Sequence, residues 1–307
     1  MTTQISEQTT SPHVKMFYHA QSSTFSYVVT DHATNQCVVI DPCLDIDEAA
    51  GSIRTGSARA IHEYITDNEL TCSLILETHA HADHLSAAHF LKNELSGTTV
   101  IGRDIGKIQR VFADIYSEPA DFATNGEQFD ILLSDGEQLR FGTFEITAIH
   151  VPGHTPACMA YLIGDAVFVG DTLFMPDSGT ARCDFPGGDA RTLYQSIQRL
   201  FELPETTRVF VCHDYQPNGR ALAFETTIGE QKAQNIHVKG SVSEDEFVSL
   251  RESRDAQLSM PKLILPSLQV NIRAGALPVH PVTKKPFITM PLNAFGGDNL
   301  DNIVENQ

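Results

Sequence analysis

The chain has 307 residues, 41% of them hydrophobic, and carries 39 acidic against 21 basic side chains for a formal net charge of −18. That size and apolar content exclude general disorder, and the charge excludes nucleic-acid phosphate or an anionic membrane surface as main partner, so an anionic small molecule needs its own local cations. No apolar stretch reaches membrane-span length and the start MTTQISEQTTSPH lacks the features of a secretory signal, so a cytoplasmic protein is expected.

Taken in order, residues 1–13 read as a flexible leader, rich in Thr, Ser and Gln, with order expected from about Lys15. Residues 25–30 and 37–40 read as strands of a hairpin ending at Asp41-Pro42. A weak helix is expected from 47 to about 68, then an apolar strand over 73–77. The run His79-Ala80-His81-Ala82-Asp83-His84 follows at once, and the spacing of Leu85, Ala88, Phe90 and Leu91 predicts a helix from Asp83 onward. Strands are expected at 100–102, 138–141, 144–150, 159–163, 166–169 and 208–212, with turns at Asp135-Gly136 and Gly164-Asp165 and an amphipathic helix over 190–201. Residues 221–307 are read as a C-terminal part packing on the core of a single domain spanning the chain: a helix with a polar face, a charged segment, and an apolar tail punctuated by prolines. The alternation predicts a layered α/β fold with mixed sheets.

Imidazoles and a carboxylate crowded into the run at 79–84 point to a metal, because neutral imidazole nitrogen and ionised carboxylate are the usual ligands of transition ions. His154, Asp171 and His213 each end an apolar run, the position at which α/β folds gather their sites. Alone, each of these reads as a hydrogen-bonded core histidine or a turn aspartate; together with the clustered run they favour a metal site. His13, His19, His32, His62, His89, His150, His237 and His280 lack that context and are read as surface or structural. The cysteines form no C-x-x-C pair and read as free, buried thiols; Cys183, beside Arg182, is read as a small side chain in a tight loop in preference to a reactive thiol.

The H-x-H-x-D-H run, the later His154, Asp171 and His213, and the strand-ending Asp41 resemble the metallo-β-lactamase superfamily. The resemblance implies a four-layer αββα sandwich of two mixed sheets flanked by helices, with the metal at one edge. The segment Gly179-Thr180-Ala181-Arg182-Cys183-Asp184-Phe185 and His213-Asp214-Tyr215 are similar to the persulfide dioxygenase branch, with Ala181 and Cys183 departing from its G-R-T-D-F motif. That branch implies one Fe(2+) per chain, held by His79, His154 and Asp171. It implies further that glutathione persulfide and dioxygen are converted to sulfite and glutathione. His81, Asp83 and Asp41 then orient the ligands, His84 and His213 assist from around them, Tyr215 reaches the reacting sulfur or oxygen, and Arg182 and Asp184 bind the glutathione carboxylate and amine.

The same ligands fit a glyoxalase II-type thioester hydrolase with two Zn(2+), and a sulfide or metal sensor without catalysis is a more distant alternative. A homodimer is one expected assembly, closed by the apolar tail.

Overall fold

A computed structural model describes residues 11–299. Most of the expected leader, residues 1–10, therefore lies outside the described residues; the first strand, His13–His19, begins slightly ahead of the expected start.

Two six-stranded sheets pack face to face. The first has the order His13–His19, Thr24–Asp31, Gln36–Ile40, Thr71–Leu76, Thr98–Gly102, Ile131–Leu133, antiparallel at the first pairs and parallel from Gln36–Ile40 onward. The second runs Gln138–Phe141, Phe144–His150, Met159–Ile163, Ala166–Phe168, Arg208–Phe210, Glu225–Thr227, with one parallel pair, between Ala166–Phe168 and Arg208–Phe210. The period of two sorts their side chains. Phe25, Tyr27, Val29, Val38 and Ile40 enter the core between the sheets, while Val28, Cys37 and Val39 point to the other side, under helices α1 (Gly56–Asp67) and α2 (Ala88–Leu95). Helix α3 (Ile105–Ile115) packs Ile105, Ile108 and Phe112 with Ile101, and α4 (Ala190–Leu200) closes the second sheet with Leu193, Ile197 and Leu200. The layers are helix, sheet, sheet, helix, as expected of an αββα sandwich.

Several local expectations are corrected. Residues 47–51 are not helical: Cys43–Asp47 and Ser52–Arg54 pair as a hairpin, with the Ala50 N–H donating to Asp47 Oδ1 at 3.1 Å and Gly51 at φ +59 making the turn. The segment after Asp83 is not yet helix, because Leu85–Ser86 pairs with Cys43 and Leu44 and the Ala87 N–H donates to the Pro42 carbonyl at 2.7 Å. Helix α3 and the strand Ile131–Leu133 lie where no element was expected. Beyond Arg220 the described residues form three helices, α5 (Ile228–Gln234), α6 (Glu244–Asp255) and α7 (Ile264–Asn271). Helix α6 starts with a complete capping box between Ser243 and Glu246, and its fully buried Phe247 packs beside Tyr194 of α4, with ring centroids 5.6 Å apart. Burial of such a ring contributes roughly 1.5–3 kcal/mol. No helix among the described residues is long and apolar enough to cross a membrane.

Candidate metal centre

Asp41 follows Gln36–Ile40, His79 follows Thr71–Leu76, Asp171 follows Ala166–Phe168, and His213 follows Arg208–Phe210, all at carboxyl ends of strands on one edge of the sandwich. The two sheets are tied together there, with the Phe25 N–H donating to the Cys212 carbonyl at 2.7 Å. Gly170, at φ +50, lets this backbone pass Thr78; a Cβ there would lie 2.6 Å from Thr78 Oγ1.

Hydrogen bonds fix the tautomers of the central histidines. Asp41 accepts from the Thr78 N–H at 2.7 Å and from Thr78 Oγ1 at 2.8 Å. The Thr78 hydroxyl proton is thus committed, so its oxygen accepts from His79 Nδ1 at 3.0 Å and His79 Nε2 is left with a bare lone pair. His154 Nδ1 lies 2.8 Å from the Arg182 carbonyl, which can only accept, so His154 Nε2 also presents a lone pair, 3.7 Å from Asp171 Oδ2. Burial lowers the pKa of both rings, most strongly for His79, and keeps them neutral. Donor atoms of His79, His154 and Asp171 lie within 4.8 Å of one another. His79 Nε2 is buried without a hydrogen-bond partner. Acceptors converging without a donor fit a cation, so the donor set suits a bound metal ion.

The remaining predicted residues surround this trio. His213 Nε2 is 3.2 Å from Asp171 Oδ1 and 3.6 Å from Asp83 Oδ2. Burial opposes a charge on His213, yet the Asp171 and Asp83 carboxylates outweigh it and push the ring's pKa up to about 9. His84 is fully buried behind Asp83, with Nδ1 3.2 Å from Asp83 Oδ2, and does not line the cavity above the trio. His81 Nε2 lies 3.0 Å from Asp41 Oδ1 and 3.6 Å from Glu77 Oε2. Tyr215 stands at the mouth, 58% exposed, its ring stacked on His213 at 5.7 Å. Burial and the charge of Asp41 push the Glu77 carboxyl well above the usual carboxylate range.

The cavity holds about 420 Å³ and is walled by Phe174, Phe185 and the loop carrying Thr180 and Arg182. Its cations are arranged differently from expectation. Arg182 Nε and Nη2 each donate to the Asp184 carboxylate at 2.6 Å and Nη1 donates to the Ser259 carbonyl at 2.7 Å, so the expected glutathione-binding pair is closed on itself. Cys183 is buried, and its burial, with Asp255 nearby, pushes the thiol far above its ordinary value, in keeping with a packing role.

Sequence reasoning missed the scaffold beneath this loop. Arg251 donates to the Thr180 carbonyl at 2.9 Å and pairs with Asp255, whose Oδ2 accepts the Cys183 N–H at 2.8 Å. His237, read as surface or structural, is buried and accepts the Thr180 N–H at 3.0 Å. Asn271 of α7 donates to the carbonyls of His81 and His84 at 2.7 and 2.8 Å. Phe247, Arg251 and Asp255 recur every fourth residue, a spacing that marks one face of α6; Asn271 has no comparable signal.

The metallo-beta-lactamase superfamily profile matches residues 20–213. A probable metallo-hydrolase of Burkholderia pseudomallei is 46% identical over 92% of this chain and 99% of its own length. Glyoxylase B2 of Dictyostelium discoideum is 46% identical over 91% and 97%. The human mitochondrial persulfide dioxygenase ETHE1 is 28% identical over 85% and 88%. Among solved structures, ETHE1 from Myxococcus xanthus superposes with a TM-score of 0.68 at 31% identity, covering 86% of this chain and all of that one. The profile, the relatives and the shared architecture agree: the chain belongs to the metallo-beta-lactamase superfamily.

Proposed function

We propose that the protein is a cytoplasmic persulfide dioxygenase that oxidises glutathione persulfide with dioxygen. The observation that carries this reading is the composition of the trio: His79, His154 and Asp171 form one donor set, while His81 Nε2 turns to Asp41. Two imidazoles and one carboxylate on one side are the ligand type of non-haem iron oxygenases. The likeness to ETHE1 of Myxococcus xanthus supports the same reading.

A single Fe(2+) bound by the trio supplies open coordination positions and a redox centre for dioxygen. The chain's own residues bind and orient. Arg182, through its carbonyl, and Thr78 hold the two ligand rings by their Nδ1 protons. Phe174 and Phe185 form apolar walls that keep water from the reacting sulfur. The Tyr215 hydroxyl reaches toward the persulfide from the mouth, while His213 and His84 hold Asp83 and Asp171 in place. In the overall change the terminal sulfur gains two oxygens from dioxygen and one from water, the S–S bond breaks, and sulfite, glutathione and two protons leave.

A second reading has its own observation: His213 Nε2 lies 3.2 Å from Asp171 Oδ1 and 3.6 Å from Asp83 Oδ2, additional donors of the kind a two-zinc thioester hydrolase requires, and a relative is named Glyoxylase B2. The test is metal analysis of purified protein with an oxygen electrode. Dioxygen uptake with glutathione persulfide and about one iron per chain is expected; a flat oxygen trace with rapid S-lactoylglutathione hydrolysis reverses the choice.

A further inference from the structure

We infer that Arg254, a residue outside every motif in the sequence, is the anchor for a substrate carboxylate at the mouth of the cavity. Three arginines line that cavity, and the two others are spent inside the protein. Arg182 is closed in a fork with Asp184, and Arg251 is buried, bound to Asp255 and to the Thr180 carbonyl. Arg254 is exposed, and among the described residues its guanidinium has no hydrogen bond or ion pair. Since each of the other two is neutralised by its own carboxylate, Arg254 adds the one uncompensated positive charge contributed by the cavity's arginines, on a chain whose net charge is −18.

Helix α6 holds this cation in place. Phe247 and Arg251 fix the buried face of the helix, so Arg254, one turn beyond Arg251 on the same side, is directed to the cavity rim. A planar fork of donors at the rim suits a carboxylate carried several bonds away from a sulfur that reacts at the floor, where His154 and Asp171 lie. Such an anchor holds the carrier equally before and during reaction, so it acts on KM and leaves kcat nearly unchanged. The identity of the carrier as a glutathione-type thiol rests on the function proposed above; the assignment of Arg254 requires only that the substrate bear a carboxylate.

The test uses the full-length, metal-loaded protein and calorimetric titration with S-methylglutathione and with its diethyl ester, followed by oxygen-electrode kinetics. Arg254→Ala is expected to weaken S-methylglutathione about tenfold, Arg254→Lys less, and to leave the ester, which lacks free carboxylates, bound alike by wild type and variants. KM for glutathione persulfide should rise by the same factor as the dissociation constant. Because Arg254 makes no hydrogen bond or ion pair among the described residues, thermal unfolding above pH 7, where His237 is neutral, should be nearly unchanged. Equal binding of S-methylglutathione by wild type and Arg254→Ala overturns the assignment and leaves the proposed activity standing. A binding defect in Arg254→Ala, in a protein that consumes no dioxygen but cleaves a glutathione thioester, upholds the assignment and removes the proposed activity. A wild-type protein that binds neither ligand overturns both.

Discussion

Replacing Asp255 with alanine should weaken the fold and the metal centre together. Asp255 is 5% exposed and Arg251 2% exposed, so the pair is withdrawn from water. Asp255 Oδ1 accepts from Arg251 Nε at 3.1 Å and Nη2 at 2.8 Å, and Oδ2 accepts the Cys183 N–H at 2.8 Å. The substitution strands a buried guanidinium and a buried amide. Removing one partner of a buried pair costs roughly 3–5 kcal/mol. Converting both residues to apolar ones, Arg251→Met with Asp255→Leu, relieves the stranded charge but leaves the Cys183 amide and the Thr180 carbonyl unpaired, at roughly 1–3 kcal/mol each, so little of the loss should return. The effect travels further, since the same loop carries the Arg182 carbonyl that orients His154. Loss of such a supporting partner typically lowers metal affinity by about 10–100-fold. Urea denaturation and chelator competition measure the two effects. A loss below about 1 kcal/mol for Asp255→Ala would refute the reasoning.

The remaining predictions concern pH, backbone and metal. Burial, then the charges of Arg251 and Arg254, lower His237 to about 4, so the unfolded chain binds its proton more readily than the folded one between about 6.5 and 4. That contribution, up to about 3 kcal/mol, is complete above pH 6.5 and lost as pH falls to 4, and His237→Gln should remove this acid sensitivity in denaturation curves taken across the window. Gly153, at φ +139, sits where a Cβ would lie 2.3 Å from the Leu193 Cα, so Gly153→Ala should cost at least about 2 kcal/mol in thermal unfolding; an unchanged melting temperature contradicts the close approach. Chelation should lower unfolding free energy reversibly, with about 2.7 kcal/mol regained when free metal reaches a hundredfold its dissociation constant; stability indifferent to chelator counts against a metal held by His79, His154 and Asp171.

What could be read from the sequence follows the range of the forces involved. The strands Thr24–Asp31, Gln36–Ile40 and Thr71–Leu76 were legible because each is a short β-branched run limited by turn residues, and the metal trio because its members end such runs. Of the helix expected from 47 to about 68, the part over Gly56–Asp67 forms, while residues 47–54 pair as a hairpin, since their acidic and alanine-rich turn has helical propensity that only pairing of Asp45 with Arg54 and of Cys43 with Ser86 overrides. Helix α3 lies where no element was expected although its apolar stripe of Ile105, Ile108 and Phe112 is regular.

At the candidate site, the clustered donors were legible and their support was not. A ligand must have one of a few side chains, so clustering in sequence reveals it; a supporting residue needs only a donor or acceptor at the right place, which any distant segment can supply. Asn271 secures the backbone of the histidine run from 190 residues away, and Asp255 secures Cys183 across a separation of 72. The same division bears on the cations of the cavity. Arg182 and Asp184 stand two apart in a motif and were paired with substrate groups, but side chains so close in an extended loop neutralise each other first, at 2.6 Å. Charge available to a ligand is what the fold leaves over after such local pairing, and in this cavity that remainder comes from α6, a segment whose charged sequence gives the same impression as any solvated helix face.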